Sequence, residues 1–385
     1  MAKAPATHRS TLLVFAEDWG RHVSSCQHLV PHLLDRHDVF WINTIGTRRP
    51  RLSLETARRA LEKAQHWLLR RIAPEPLPAH LRVVSPVMWP YFSTAFDRRL
   101  NLALLRRQLL PIVNSLPEPP IAITKIPIVA DLMGVLPVKH WVYYCVDDLS
   151  QWPGLDHPTL QRMEEVVVQR ADRLITVSEV LQERIERMGR SVRLLTHGVD
   201  LDFWRADPLS SPLPGLTGLE RPFIVFWGVI DPRMDMTFVR RLAMELTCGT
   251  IVLAGPETDV NPALVSCPRI IRLGSLPFPD LPRLGREADV IIMPYIDHPV
   301  THAMQPLKLK EYLATGKPVV VRDLPSTRPW ADCLDLAATP EAFVRAVELR
   351  LKTGLPSSQA SARTRLSSES WSEKARIFER WVLEN

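Results

Sequence analysis

The chain has 385 residues, of which 46% are hydrophobic and 23% charged, a length that calls for two cores and a composition typical of a folded globular protein. No run approaches the roughly 18 consecutive apolar residues of a spanning helix, so a helix across a bilayer is excluded. A formal charge of +6 and a pI near 9.2 point to polyanionic partners, diphosphates or anionic lipid; nucleic acid is set aside because no zinc-finger, helix-turn-helix or RNP-like pattern is present.

From the start of the chain, residues 1–10 are short and polar and lack the apolar stretch and cleavage site of a secretory signal, which predicts a cytoplasmic protein. Apolar, β-rich runs then alternate with helical stretches. They predict strands at 12–16, 39–43, 82–85, 121–124, 141–146, 174–177 and 192–195. Residues 207–220, rich in Pro, Ser and Gly, read as a linker. Strands resume at 223–227, 250–254, 270–273, 290–294 and 318–321. The alternation predicts an α/β chain with two doubly wound parallel sheets, in domains 1–206 and 221–368. A closing segment, 369–385, carries Trp371, Ile377, Phe378, Trp381 and Val382 in an amphipathic pattern. The five cysteines, Cys26, Cys145, Cys248, Cys267 and Cys333, have no short paired spacing, so buried free thiols are expected rather than a zinc site or disulfides.

In open α/β sheets ligands bind beyond the carboxyl ends of the strands, and polar residues placed there are candidates. They are Glu17, Asp18, Trp19 and Arg21 after the first strand, Asp147 and Asp148 after the fifth, Ser178 and Glu179 after the sixth, and Gly228 with Asp231, Arg233 and Asp235 after the first strand of the second domain. All are expected to face a cleft between the domains. Two adjacent carboxylates suit a general base, because like charges held together raise one pKa. Asp18 competes for that role, and helix capping by Asp148 or Ser150 is the other reading. Arg233 suits a diphosphate, or is a loop charge partnered by Asp231 or Asp235. Gly228 allows backbone to approach a phosphate closely. Gly255, which opens the turn Gly255-Pro256-Glu257, either frames a nucleobase or only turns the chain.

The most informative stretch runs from Pro306 to Val320. It places Lys308 and Glu311 three apart on one helix face, closes the helix at Gly316 and enters a strand. Such a pair can meet a phosphate with the lysine and ribose hydroxyls with the carboxylate, or can form an ordinary surface ion pair. Two basic stretches bear on an acceptor or membrane. Residues 51–71 set Leu54, Ala57, Leu61, Ala64 and Leu68 at helical spacing among arginines and Lys63. Trp89, Tyr91 and Phe92 precede Arg98, Arg99, Arg106 and Arg107. Both suit an anionic membrane surface; the first also suits a sheet-covering helix.

The segment Pro306-x-Lys308-x-x-Glu311-Tyr312-Leu313-Ala314 resembles the donor-site helix of GT-B glycosyltransferases, in the large group that transfers from nucleotide-diphosphate sugars with retention. Thr196-His197-Gly198-Val199-Asp200 is similar to the Asn-Gly-Val-Asp segment that ends the family's acceptor domain, with His197 replacing the asparagine. The resemblance implies two Rossmann-like domains across a cleft, an N-terminal one for a glycan or polyprenyl-linked acceptor and a C-terminal one for the donor. It also implies a last helix crossing back to the first domain. Glu311 would hold ribose, Arg233 the diphosphate, and neither metal nor cofactor is needed. Ala303 stands where the family usually has a second glutamate, as in a branch of bacterial polysaccharide glycosyltransferases that keeps the Pro-x-Lys-x-x-Glu core. A nucleotide-sugar epimerase on this architecture and an inactive membrane-associated binding subunit are the rival readings. Nucleobase, sugar, acceptor, linkage and oligomeric state are not encoded in a readable form.

Overall fold

The computed structural model describes residues 9–20, 24–45, 77–206, 213–264 and 267–384. Arg21 and the basic stretch 51–71 lie outside the described residues. The chain forms two compact units, Met1–Leu195 with Ala375–Asn385, and Thr196–Lys374.

The first unit is built on a seven-stranded sheet in the order β3-β2-β1-β4-β5-β6-β7. Its strands are β1 (Ser10–Ala16), β2 (His37–Asn43), β3 (Leu81–Val84), β4 (Ile121–Thr124), β5 (Trp141–Cys145), β6 (Arg173–Thr176) and β7 (Arg193–Leu194). Every pairing is parallel, with Leu12 set against Val39 on one side and Ile121 on the other. Strands covered on both faces become continuous apolar runs, and Leu12, Leu13, Val14, Phe15 and Ala16 are all buried. Strand order reverses between β1 and β4, which makes their carboxyl ends the switch point of this sheet.

A long helix, Ala95–Asn114, buries a stripe at every fourth residue, Asp97, Asn101, Leu105, Leu109 and Val113. It starts at a capping box in which Thr94 and Asp97 bond each other's backbone amides. Asn101 accepts from the Trp89 amide and donates to the Tyr91 carbonyl, both at 2.8 Å, and the Trp89 indole donates to Asp97. This stitching draws the 89–92 stretch onto the helix. Phe92, expected at the surface, is therefore only 1% exposed; Trp89 keeps 39% of its surface in solvent.

The second unit carries a six-stranded parallel sheet in the order β10-β9-β8-β11-β12-β13. Its strands are β8 (Phe223–Trp227), β9 (Thr250–Ala254), β10 (Ile270–Gly274), β11 (Val290–Met293), β12 (Val319–Arg322) and β13 (Asp335–Ala337). The edge strand β13 is the one the sequence reading leaves out. Here the order reverses between β8 and β11.

The division between units falls at Leu195/Thr196, ahead of the expected linker, and the described part of that linker belongs to the second unit. The physical reason is burial. Trp204 stacks on Trp227 at 5.5 Å, while Leu213 and Leu216 enter the second core. The last helix, Trp371–Leu383, begins in the second unit and ends in the first. In the first, Phe378 meets Tyr144 edge-on at 5.4 Å, and His140 bonds the Val382 carbonyl at 2.8 Å. Burial opposes the charge on Glu379, but Arg36 and His37 hold its carboxyl below the ordinary value.

Cys26, Cys145 and Cys333 are buried, Cys267 is half-buried and Cys248 is exposed. Cys333 lies in a turn. Burial pushes the Cys26 thiol up to about 12 and that of Cys333 to about 11. Among the described residues, no helix is long and apolar enough to cross a membrane.

Candidate functional site

The second unit gathers its polar candidates at the switch point between β8 and β11. β8 ends at Trp227, and Gly228 follows with φ +154°. The loop it opens is zipped to the loop after β9. The Gly228 amide donates to the Ala254 carbonyl at 2.9 Å, Ile230 to Pro256 at 2.9 Å, and Thr258 back to Ile230 at 2.9 Å. Gly255 has φ +145°, and a Cβ there would lie 1.8 Å from the Gly228 carbonyl oxygen. Backbone contact between these loops is what requires glycine at 255.

Further along the same loop the Arg233 guanidinium, 9% exposed, grips Asp231 through Nε at 3.0 Å and Nη2 at 2.7 Å. It also lies 5.6 Å from the Tyr295 ring and 3.8 Å from the Met304 sulfur. Tyr295 belongs to the loop after β11, which is fastened to the β8 loop by Asp235 donating to Pro294 and Ile296 donating to Arg233, both at 2.7 Å. Of the two readings of Arg233, the partnered loop charge is thus realised with Asp231. Asp235 instead caps the next helix through the Thr237 amide and pairs with Arg322 at 2.9 Å.

The helix Leu307–Ala314 starts at Pro306, and no side chain caps it. Lys308 Nζ lies 3.1 Å from Glu311 Oε2, the spacing expected for residues three apart. The Trp227 indole donates to the same oxygen at 3.4 Å. Glu311 is 4% exposed, so this is a buried carboxylate held by a half-exposed lysine, not a surface pair. Tyr312 fixes the helix to β8 by donating to the Trp227 carbonyl at 2.5 Å, with the rings edge-on at 4.3 Å. Gly316, at φ +74°, ends the helix before β12. Ala303 is 2% exposed at the end of a short helix, Pro299–Ala303.

In the first unit, Asp148 is buried and accepts from the Ser150 amide at 3.0 Å and the Ser150 hydroxyl at 2.5 Å, with Arg184 Nε at 3.7 Å. Its geometry is that of a local turn. Asp147 and Asp18 are half-buried. Trp19 packs edge-on against buried Trp41 at 4.8 Å.

Three functional candidates, Lys125, Arg322 and Lys310, escaped the sequence reading. Lys125, immediately after β4, pairs with Glu17, immediately after β1, at 2.6 Å across that sheet's switch point. Burial opposes its charge, but Glu17, Cys26 and Asp147 raise Lys125 above the ordinary lysine value. The strand-end rule picks out Glu17, and applied to the end of β4 it would have picked out Lys125 as well. Arg322, at the end of β12, adds a cation to the second switch point and also lies 3.8 Å from Asp297. Lys310, between Lys308 and Glu311, is buried at 3%.

Two all-parallel doubly wound sheets in one chain find counterparts along nearly the whole length of solved structures. Sucrose-phosphate synthase from Thermosynechococcus elongatus aligns over 97% of both chains with a TM-score of 0.64 and 14% identity. A trehalose-6-phosphate protein from E. coli, bound with UDP-2-fluoro glucose, aligns over 98% of this chain and 100% of its own, with a TM-score of 0.66 and 13% identity. This chain has the GT-B fold. Another protein similar to this GT-B chain is Anabaena HepE in complex with UDP-glucose, with a TM-score of 0.60 and 12% identity over 97% of this chain and 95% of that one. In sequence, the GT-B chain is 32% identical over 169 residues to a Bacillus subtilis (strain 168) protein provisionally assigned as the teichuronic acid biosynthesis glycosyltransferase TuaH. That match covers 42% of this chain and spans 43% of the length of the relative. No family model matches.

Proposed function

We propose that this protein is a glycosyltransferase that moves a sugar from a nucleotide-diphosphate sugar to a glycan or lipid-linked acceptor, with the second unit binding the donor. The observation that carries this reading is the buried Glu311 carboxylate, anchored by Lys308 and Trp227 on an uncapped helix beside the switch point. A carboxylate offers about four acceptor positions, so ribose hydroxyls add to the two contacts on Oε2. The positive end of the helix and Lys308 meet the diphosphate. Arg233 shares its remaining donors with the same group while it keeps Asp231. Developing charge on a departing nucleoside diphosphate is then held by fixed donors, as transfer requires.

The finer parts of the proposal have separate supports. Uracil as the base is supported by the UDP and UDP-glucose complexes of HepE and by the UDP-2-fluoro glucose complex of the E. coli neighbour. A polysaccharide acceptor at the cell surface is supported by the role assigned to TuaH. Contact with anionic lipid is supported by exposed Trp89 and Phe96, with exposed Arg99, Arg106 and Arg107 on the adjoining helix. A retaining course without a metal rests on the Pro306-x-Lys308-x-x-Glu311 resemblance. Asp147, Asp148 and Asp18 remain the candidate bases, and Asp148 would have to act while its Oδ1 is engaged twice by Ser150.

A thermal-shift screen against UDP, GDP, dTDP, ADP and CMP tests the donor site. A nucleotide at about 100 times its Kd adds roughly 2.7 kcal/mol. One diphosphate should stabilise the wild type and not Glu311→Ala. Equal stabilisation of both proteins, or of neither, removes the assignment.

A further inference from the structure

Lys310 sits one residue before Glu311 and two after Lys308, yet it points away from both. It is 3% exposed and donates to the carboxylate of Glu369, to the His197 carbonyl and to Thr196 Oγ1. Its ammonium lies 5.5 Å from the Trp330 ring. Lys374 completes the cluster, reaching Glu369 at 2.8 Å and Thr196 Oγ1 at 3.0 Å.

The partners of Lys310 have a particular place in the chain. Thr196 and His197 are the first residues after the chain enters the second unit, and Glu369 to Lys374 are the last before it leaves. These two segments also hold one another. The Val199 amide donates to the Glu369 carbonyl at 2.8 Å, and a Cβ on Gly198 would lie 2.9 Å from the Trp371 Cα. Gln305, just before Pro306, accepts from the His197 amide. The start of the donor helix is therefore gripped on both sides of Lys308, by Gln305 before it and Lys310 after it, and both grips end on the entering segment.

We propose that Lys310, with Glu369, is a positioning pair that sets the rotation of the helix Leu307–Ala314, aims Lys308 and Glu311, and links donor binding to the order of both crossing segments. The proposal rests on the donor reading of Glu311. An axial turn of a helix moves every side chain on it together, so a buried anchor on one face fixes the aim of the opposite face. Burial pulls Lys310 down to about 8 although Glu369 opposes it, which fits an ammonium retained in the interior by its partners.

The test compares wild type with Lys310→Met and Glu369→Gln. Methionine keeps the unbranched stem, and Lys374 still serves Glu369 and Thr196, so the variant retains a folded core. Two readouts are taken. Hydrogen exchange of the apo proteins should rise together in 196–199, 307–314 and 369–374 in both variants. Calorimetric titration with the diphosphate that stabilises the wild type should show affinity at least tenfold weaker in both, with the melting temperature shifted by no more than a few degrees. Faster exchange confined to the mutated segment overturns the linkage. Unchanged affinity beside a binding wild type overturns the positioning role. A wild type that binds none of the nucleotides overturns the donor reading beneath it.

Discussion

Replacing Gly255 by alanine separates backbone fit from ligand approach as the reason for a glycine in that loop. The added Cβ would lie 1.8 Å from the Gly228 carbonyl oxygen and 2.8 Å from its carbon, whereas a carbon meets a carbonyl oxygen comfortably at about 3.3 Å or more. The opposing atoms are backbone, so no rotamer change relieves the overlap. The loops must part by more than an ångström. That strains the Gly228-to-Ala254 and Ile230-to-Pro256 hydrogen bonds, each worth about 0.5–1.5 kcal/mol net. Holding a non-glycine residue at φ +145° adds about 1–3 kcal/mol. The expected loss is about 3–5 kcal/mol in the second unit. Because a two-unit chain need not unfold in one step, the measurement is hydrogen exchange of peptides from β8 and β9 across a urea series. The midpoint for those peptides should fall while peptides from β1 and β4 stay unchanged. A loss under about 1 kcal/mol would refute the steric argument and return Gly255 to a purely ligand-facing role.

The pH dependence of the second unit should carry the mark of Lys310. Its folded value near 8 lies below the ordinary 10.5, so the unfolded chain binds more protons in that window, and stability gains as pH rises from about 8 to 10.5. The gain is at most on the order of 3 kcal/mol, and Lys310→Met should flatten it; parallel urea profiles for the two proteins would refute the shift. Thiol titration of the native protein should label exposed Cys248 quickly and Cys267 more slowly, leaving Cys26, Cys145 and Cys333 protected until denaturant is added. Rapid labelling of Cys26 would contradict its burial.

The sheets were legible because strands buried on both faces become uninterrupted apolar runs, such as Leu12 to Ala16 and Phe223 to Trp227. β13 was not, because Asp-Leu-Ala is short, and what makes it a strand is pairing with β12. Leu213 and Leu216 were hidden in a Pro- and Ser-rich stretch whose composition resembles a linker, though two leucines suffice to anchor it. The Lys308 and Glu311 pair could be read from helical spacing alone. Lys310 could not, since its carboxylate partner is 59 residues away and only the folded chain brings them together. Phe92 shows the converse error: neighbouring arginines suggested a surface, whereas Asn101 and Asp97 tether the preceding residues and turn the ring inward.

The terminal helix changes what counts as a divisible piece of this polypeptide. A gene cut after Leu195 would encode the first sheet without Phe378, Glu379 and Val382, leaving Tyr144, Arg36, His37 and His140 without the partners they have here. A self-sufficient first half would need residues 375–385 grafted back through a short artificial connector. The second half, in contrast, is one continuous stretch and could be expressed as a single excised segment.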